Sequence, residues 1–205
     1  MQAQRKDPRS GRDAGFSLVE LLIYMGLLVL VVSVAGGLLI TGLKTQETTQ
    51  AVTTAATTAQ QIARSVQAGV RNASAVTVTS DNPAWPAGAQ LLAARTIGTD
   101  PLSTASSCQA WYFTGPGVDG SGAIYTKRTT PAAVITVPGG GPQGVWTLLG
   151  AGVRPADPVT ARVFNAPSGS RVDLKFNVAA GTHPYVLINT TTYTPQIATV
   201  STPCF

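Results

Sequence analysis

The sequence predicts an α+β fold: a long N-terminal helix, membrane-spanning in its first half and amphipathic in its second, packed on a C-terminal antiparallel β-sheet domain. Three observations predict it. From Leu21 to Leu43 run 23 residues without a charge, enough to cross a bilayer as a helix. No proline stands between Phe16 and Asn72, so nothing in that span forces a break. From about Ala75 onward, short runs of β-branched and aromatic residues alternate with glycine- and proline-rich turns, the pattern of strands in an antiparallel sheet.

The elements follow in chain order. Residues 1–15 are a short basic segment, with Arg5, Lys6, Arg9 and Arg12 opposed by Asp7 and Asp13. Residues 16–43 are the apolar helix. Over 44–72 the apolar pattern narrows to a stripe, in which Val52, Ala55, Ala56, Ala59, Ile62, Ala63, Val66 and Val70 recur three and four residues apart, the spacing of one helix face. A continuous helix over both segments would measure about 84 Å at ~1.5 Å per residue. Its first half must then project from a small domain while its second half packs on a sheet. The threonines at 48, 49, 53, 54, 57 and 58 are poor helix formers, so the middle of the helix depends on packing. Residues 73–205 form the β-rich domain. "AVTVTS", "CQAWYFTG", "AIYTKRT", "GVWTLLG", "ARVFNA", "RVDLKFNV" and "YVLINTT" read as strands, with "DNPAWPAG" and "VPGGGPQG" as loops.

Charge and composition narrow the function. Only 11% of the 205 residues are charged, and Thr, Ala and Gly abound, which suits a surface protein better than a cytosolic enzyme. The net charge is +5, but the first fifteen residues contribute +2 of it and the basic residues beyond them are scattered. No basic cluster interleaved with aromatics marks a nucleic-acid partner. Cys108 and Cys204 are too far apart for a zinc or redox motif. In an exported protein they read as one disulfide pinning the C-terminus to the middle of the domain; the alternative is two unpaired thiols.

Chemistry-bearing constellations are scarce, so no enzyme activity, cofactor or metal site is expected. His183 is the only histidine and lies in "GTHPY", a turn context with no cysteine or carboxylate beside it. "GPGVDG", Gly115 to Gly120, matches a dinucleotide fingerprint formally, but a strand follows it where a phosphate would need a helix N-terminus, so it reads as a hairpin loop. Asn72-Ala73-Ser74 and Asn189-Thr190-Thr191 match glycosylation sequons, a pattern that arises readily by chance.

The N-terminus admits three readings. As a secretory signal it would be cut after Ala35, at Ser33-Val34-Ala35, but Glu20 interrupts the start of the apolar region and the apolar run continues beyond the cut. As a plain single-pass anchor it accounts for the length, and its basic flank keeps the N-terminus in the cytoplasm. That reading leaves Glu20, a carboxylate at the edge of the run, without a purpose. The third reading gives it one. "GFSLVELLI", Gly15 to Ile23, closely resembles the cleavage and methylation motif of type IV prepilins and type II secretion pseudopilins.

The resemblance covers roughly the first 45 residues, and what it implies is specific. A dedicated prepilin peptidase would cut after Gly15 on the cytoplasmic side and methylate the new N-terminal residue, Phe16. Glu20, four residues on, would pair with the amino group of Phe16 on a neighbouring subunit and set the register of assembly. The partners implied are other pilin or pseudopilin subunits, the peptidase, an inner-membrane assembly platform and the membrane. The location implied is the cytoplasmic membrane, with the β domain outside, and then a filament at the cell surface or in the periplasm. The size of the domain, and a likeness of "CQAWYFTG...AIYTKRT" to the larger minor subunits of the PilW and type II J classes, point to a minor subunit. Gly36 and Gly37 are expected to give flexibility, each costing about 1 kcal/mol relative to alanine in a helix. Ser33, Gly37 and Thr41 form a small-residue stripe suited to close helix contact.

Overall fold

The computed structural model describes residues 17–97, 106–181, 183–195 and 204–205; the expected processing junction, Gly15 and Phe16, lies outside the described residues. The element order is α1 (Leu18–Arg71), β1 (Ala73–Ser80), β2 (Gln90–Ile97), β3 (Ser106–Phe113), β4 (Gly122–Thr129), β5 (Thr147–Pro155), β6 (Phe164–Ser168), β7 (Arg171–Ala180) and β8 (His183–Tyr193). This is the predicted α+β class. Two units are distinguished, Met1–Glu47 and Thr48–Phe205, and each is described by itself.

In the first unit α1 opens with a backbone bond from the amide of Leu21 to the carbonyl of Ser17. Apolar side chains then cover the helix on every side. Leu22, Val29, Leu38 and Leu39 are all more than 60% exposed, and an all-round apolar helix is stable where lipid or other helices replace water. The segment is long and apolar enough to cross a membrane.

In the second unit the stripe of α1 is the centre of the core. Ala55, Ala59, Ile62, Ala63, Val66, Gly69 and Val70 are buried, and they meet Leu92, Trp111, Phe113, Ile124, Val153, Phe164, Leu174 and Phe176 from the sheet. Each fully buried Val, Ile or Phe contributes about 1.5–3 kcal/mol by leaving water. Val52, the first member of the predicted stripe, is exposed instead. The three- and four-residue spacing extends one turn beyond the first buried position, Ala55.

All eight strands belong to one antiparallel sheet. Its path is β1-β2-β3-β4-β5-β7-β6, with β8 pairing β7. β5 takes Phe176 to Val178 of β7 and β6 takes the earlier residues Arg171, Asp173 and Leu174, while β8 runs along β7 from Arg171 to Ala180. The "GPGVDG" segment is the β3–β4 loop, closed by a bond from the Gly117 amide to the Ser121 carbonyl. Strand β2, "QLLAARTI", is absent from the sequence-predicted strands. His183, expected in a turn, is the first residue of β8.

The sheet buries both faces over β2 and β3. Even-numbered residues of β2 (Leu92, Ala94) join Trp111 and Phe113 under the helix. The alternate residues Leu91, Ala93, Ala110 and Tyr112 face the other way, beneath Ile135 and Trp146 of the β4–β5 connection. Trp85 meets Tyr112 edge-on, with ring centroids 5.6 Å apart.

Candidate functional site

Glu20 sits in the first turn of α1, where a carboxylate is favoured by the unpaired amides of the helix N-terminus. It is half-buried, and the hydroxyl of Tyr24, one turn on, donates to its Oε1 at 2.9 Å. That bond follows from sequence spacing, since residues four apart share a helix face. It satisfies one of the several lone pairs of the carboxylate; the rest remain available to another donor. The expectation for Glu20 is of a group facing a neighbouring subunit, and its cognate, the amino group of Phe16, lies outside the described residues.

The small residues further along the helix behave as ordinary helix positions. Ser33 Oγ donates to the carbonyl of Val29 at 2.7 Å, and Thr41 Oγ1 donates to the carbonyl of Gly37 at 3.0 Å. These hydroxyls are therefore satisfied within their own helix. The helix runs through Gly36 and Gly37 without interruption, and an added Cβ at either would meet open space. The structure thus gathers Glu20 with Tyr24, and it places Ser33, Gly36, Gly37 and Thr41 further along the same helix, within a span of about two turns.

The disulfide is formed: Cys108 and Cys204 are bonded across a sequence separation of 96. Cys108 lies on the face of β3 turned away from the helix, in the smaller core with Tyr112 and Trp146. The bond therefore anchors the C-terminal residues to the outer layer.

Two further features were not anticipated from sequence. Trp111 Nε1 donates to Ser65 Oγ at 2.9 Å, and Gly69, one turn beyond Ser65, leaves room for the same indole. Gln90 bridges the start of β2 to the approach of β6: its Oε1 accepts from the amides of Val163 and Phe164, both at 2.9 Å, and its Nε2 donates to the carbonyl of Ala161. Glycine in a buried helix stripe signals the first; a glutamine opening an otherwise apolar strand is the only signal of the second.

Perturbed carboxyls lie on turns and the sheet surface. Hydrogen bonds from Ser121 hold Asp119 below the ordinary carboxylate range, and bonds from Val159 and Thr160 do the same for Asp157; both are side chains capping their own turns. Among the described residues no group of three or more His, Cys, Asp or Glu gathers to hold a metal. No family model, curated protein or solved structure matches this chain.

Proposed function

We propose that the chain is the precursor of a minor subunit of the type IV pilin and type II secretion pseudopilin class, processed after Gly15, methylated at Phe16 and assembled into a filament from the cytoplasmic membrane. The observation that carries this reading is Glu20: a single carboxylate four residues past a Gly-Phe junction, at the head of a helix otherwise uncharged through Leu43. In hydrocarbon such a group is retained for function. An amino group supplied by a neighbour would meet it at low dielectric, where attraction between opposite charges is strong. Apolar helices gain little hydrophobic driving force from each other in lipid, so this pair would decide register. The second half of α1 packs into the eight-stranded sheet, and on this reading that domain stands outside the membrane.

The bond from Tyr24 favours a second reading. A carboxylate already served within its own helix can sit in a single-pass anchor of a binding module that never polymerises. Two measurements separate the readings. Mass spectrometry of the mature protein should find methylated Phe16 at its N-terminus; an intact leader supports the anchor. Glu20→Ala should leave membrane fractionation unchanged and reduce crosslinking to neighbouring filament subunits, whereas undiminished crosslinking with normal function removes the pairing mechanism.

A further inference from the structure

The face of β7 and β8 turned away from the helix core carries polar side chains in register. Arg171 stands across from Tyr193, Asp173 from Thr191 and Lys175 from Asn189. Alternation puts the intervening Val172, Leu174 and Phe176 into the core. The β5–β6 connection rises beside this row, and between them lies a groove of about 420 Å³ whose lining is polar apart from Val163. From Arg171 to Lys175 the strand advances about 14 Å at ~3.4 Å per residue, room for a ligand of two or more sugar rings.

The groove's two carboxylates are engaged by donors of its own lining, Thr160, Arg171 and Thr191. Asp157 accepts from the amide of Val159 at 2.9 Å and from Thr160 Oγ1 at 3.0 Å. Asp173 accepts from Arg171 Nε at 2.9 Å and Thr191 Oγ1 at 2.7 Å. Burial pushes the Asp173 carboxyl up, but the bonds from Arg171 and Thr191 outweigh it and hold the group ionised below the usual range. By contrast, Lys175 Nζ and the side-chain amides of Asn165 and Asn189, all lining the groove, have no hydrogen-bond partner among the described residues; Lys175 acts on Asp157 through charge alone. Arg162 has a half-exposed side chain, with a 4.0 Å approach to Asp81 as its ion pair. A ligand rich in oxygen acceptors, and negatively charged, fits that inventory. Tyr193, 61% exposed, adds an aromatic ring at the Arg171 end, a surface with an apolar body and a polar tip.

We propose that this groove binds an acidic saccharide. The carboxylate or sulfate of the sugar meets Lys175 and Arg162, its hydroxyls meet the amides of Asn165 and Asn189, and the apolar face of a ring rests on Tyr193. Free phosphate shares the anionic chemistry but has no use for the tyrosine, so the two are separable. The site is independent of whether the subunit polymerises.

The test is calorimetric titration of the detergent-solubilised full chain with a galacturonate hexamer, a neutral glucose hexamer and inorganic phosphate. The galacturonate should bind measurably, more tightly than either comparison ligand, and more weakly as salt is raised. Lys175→Gln and Arg162→Gln remove charges without touching the bonds of Asp157 or Asp173. Each should weaken binding about tenfold, the scale of one hydrogen bond to a charged group. Tyr193→Ala should weaken galacturonate and leave any phosphate signal unchanged. Arg64→Gln, on α1, is the control and should change nothing. The proposal is overturned if galacturonate gives no saturable heat at millimolar concentration. It is equally overturned if Lys175→Gln and Arg162→Gln bind like wild type with their melting curves unchanged. Phosphate binding as tightly as galacturonate, with Tyr193→Ala silent, would mark an anion site and reject the saccharide.

Discussion

Gly69→Ala should destabilise the globular unit, although the same change in an unconstrained helix would stabilise it. Alanine is favoured over glycine by about 1 kcal/mol in a helix interior. At Gly69 the added Cβ would stand 2.5 Å from ring carbon Cζ2 of Trp111, nearer still to Cη2, and 3.2 Å from Gln109 Oε1. The indole cannot step aside freely, because it is fully buried and its Nε1 is held by Ser65 at 2.9 Å. Overpacking of this kind costs roughly 1–3 kcal/mol. Gly69 lies in the last turn of α1, where the propensity gain is only partly realised, so the net loss should be about 1–2 kcal/mol. For a chain of this size that is a fall in melting temperature of about 2–8 °C. The assay is near-ultraviolet circular dichroism of the detergent-solubilised chain during heating, which follows the packing of Trp111. Repeating the substitution in a Trp111→Phe background, where the smaller ring leaves space, should make Gly69→Ala neutral or stabilising. A coupling of about 0.5–3 kcal/mol between the two positions is expected. A rise in melting temperature for Gly69→Ala in the wild-type background would refute the account of why glycine is there.

Gln90→Ala should cost about 2–4 kcal/mol by leaving two buried amides without an acceptor, and hydrogen exchange at Val163 and Phe164 should accelerate more than at β7 amides. Reduction of Cys108–Cys204, or the double alanine substitution, should lower stability by up to about 4–5 kcal/mol in the chain-entropy treatment of a loop this long; thiol labelling without reductant should find neither cysteine, and equal denaturation midpoints with and without reductant would remove the bond from the stability of the fold. The depressed folded-state pKa of Asp173 makes its contribution complete above the ordinary aspartate pKa of about 3.9 and lost as pH falls through the lower folded value. Asp173→Asn should therefore flatten part of the acid limb of a stability–pH profile, leaving the share due to Asp119 and Asp157.

The helix and most of the sheet were legible because each segment carries its own period. Ala55 to Val70 repeat at helical spacing and are buried along that line, and β7 alternates so cleanly that Val172, Leu174, Phe176 and Val178 fall on one face. Strand β2 was not legible. Its residues "QLLAARTI" are mostly good helix formers, and its central residues Leu91 to Ala94 are buried on alternating sides in two different cores. A strand covered on both faces loses the alternation that marks it. What makes it a strand is pairing, to β1 along one edge and β3 along the other, the strands just before and just after it in the chain, and no pattern within its own eight residues records that pairing. The same reasoning applies to Gln90, whose acceptor serves amides more than seventy positions away.

At the candidate site the place of Glu20 at the head of the apolar helix was legible from the charge pattern, while its bond to Tyr24 was not. Tyr24 reads as one more apolar residue in a membrane run, and only the helix brings its hydroxyl to the carboxylate. The pair changes the electrostatics of the proposed assembly step. A bare carboxylate in lipid would pay a large desolvation cost before its partner arrived. With one hydrogen bond already made by Tyr24, the proposed subunit would wait in the membrane at a lower desolvation cost. The bond is made to one oxygen, and the proposed capture would use the other. A hydrogen bond from an uncharged hydroxyl cannot replace the attraction of an opposite charge at low dielectric, so Tyr24 would lower the cost of waiting without supplying the energy of capture. On that division of labour, the proposed assembly would use Glu20 to recognise the neighbour and Tyr24 to position it.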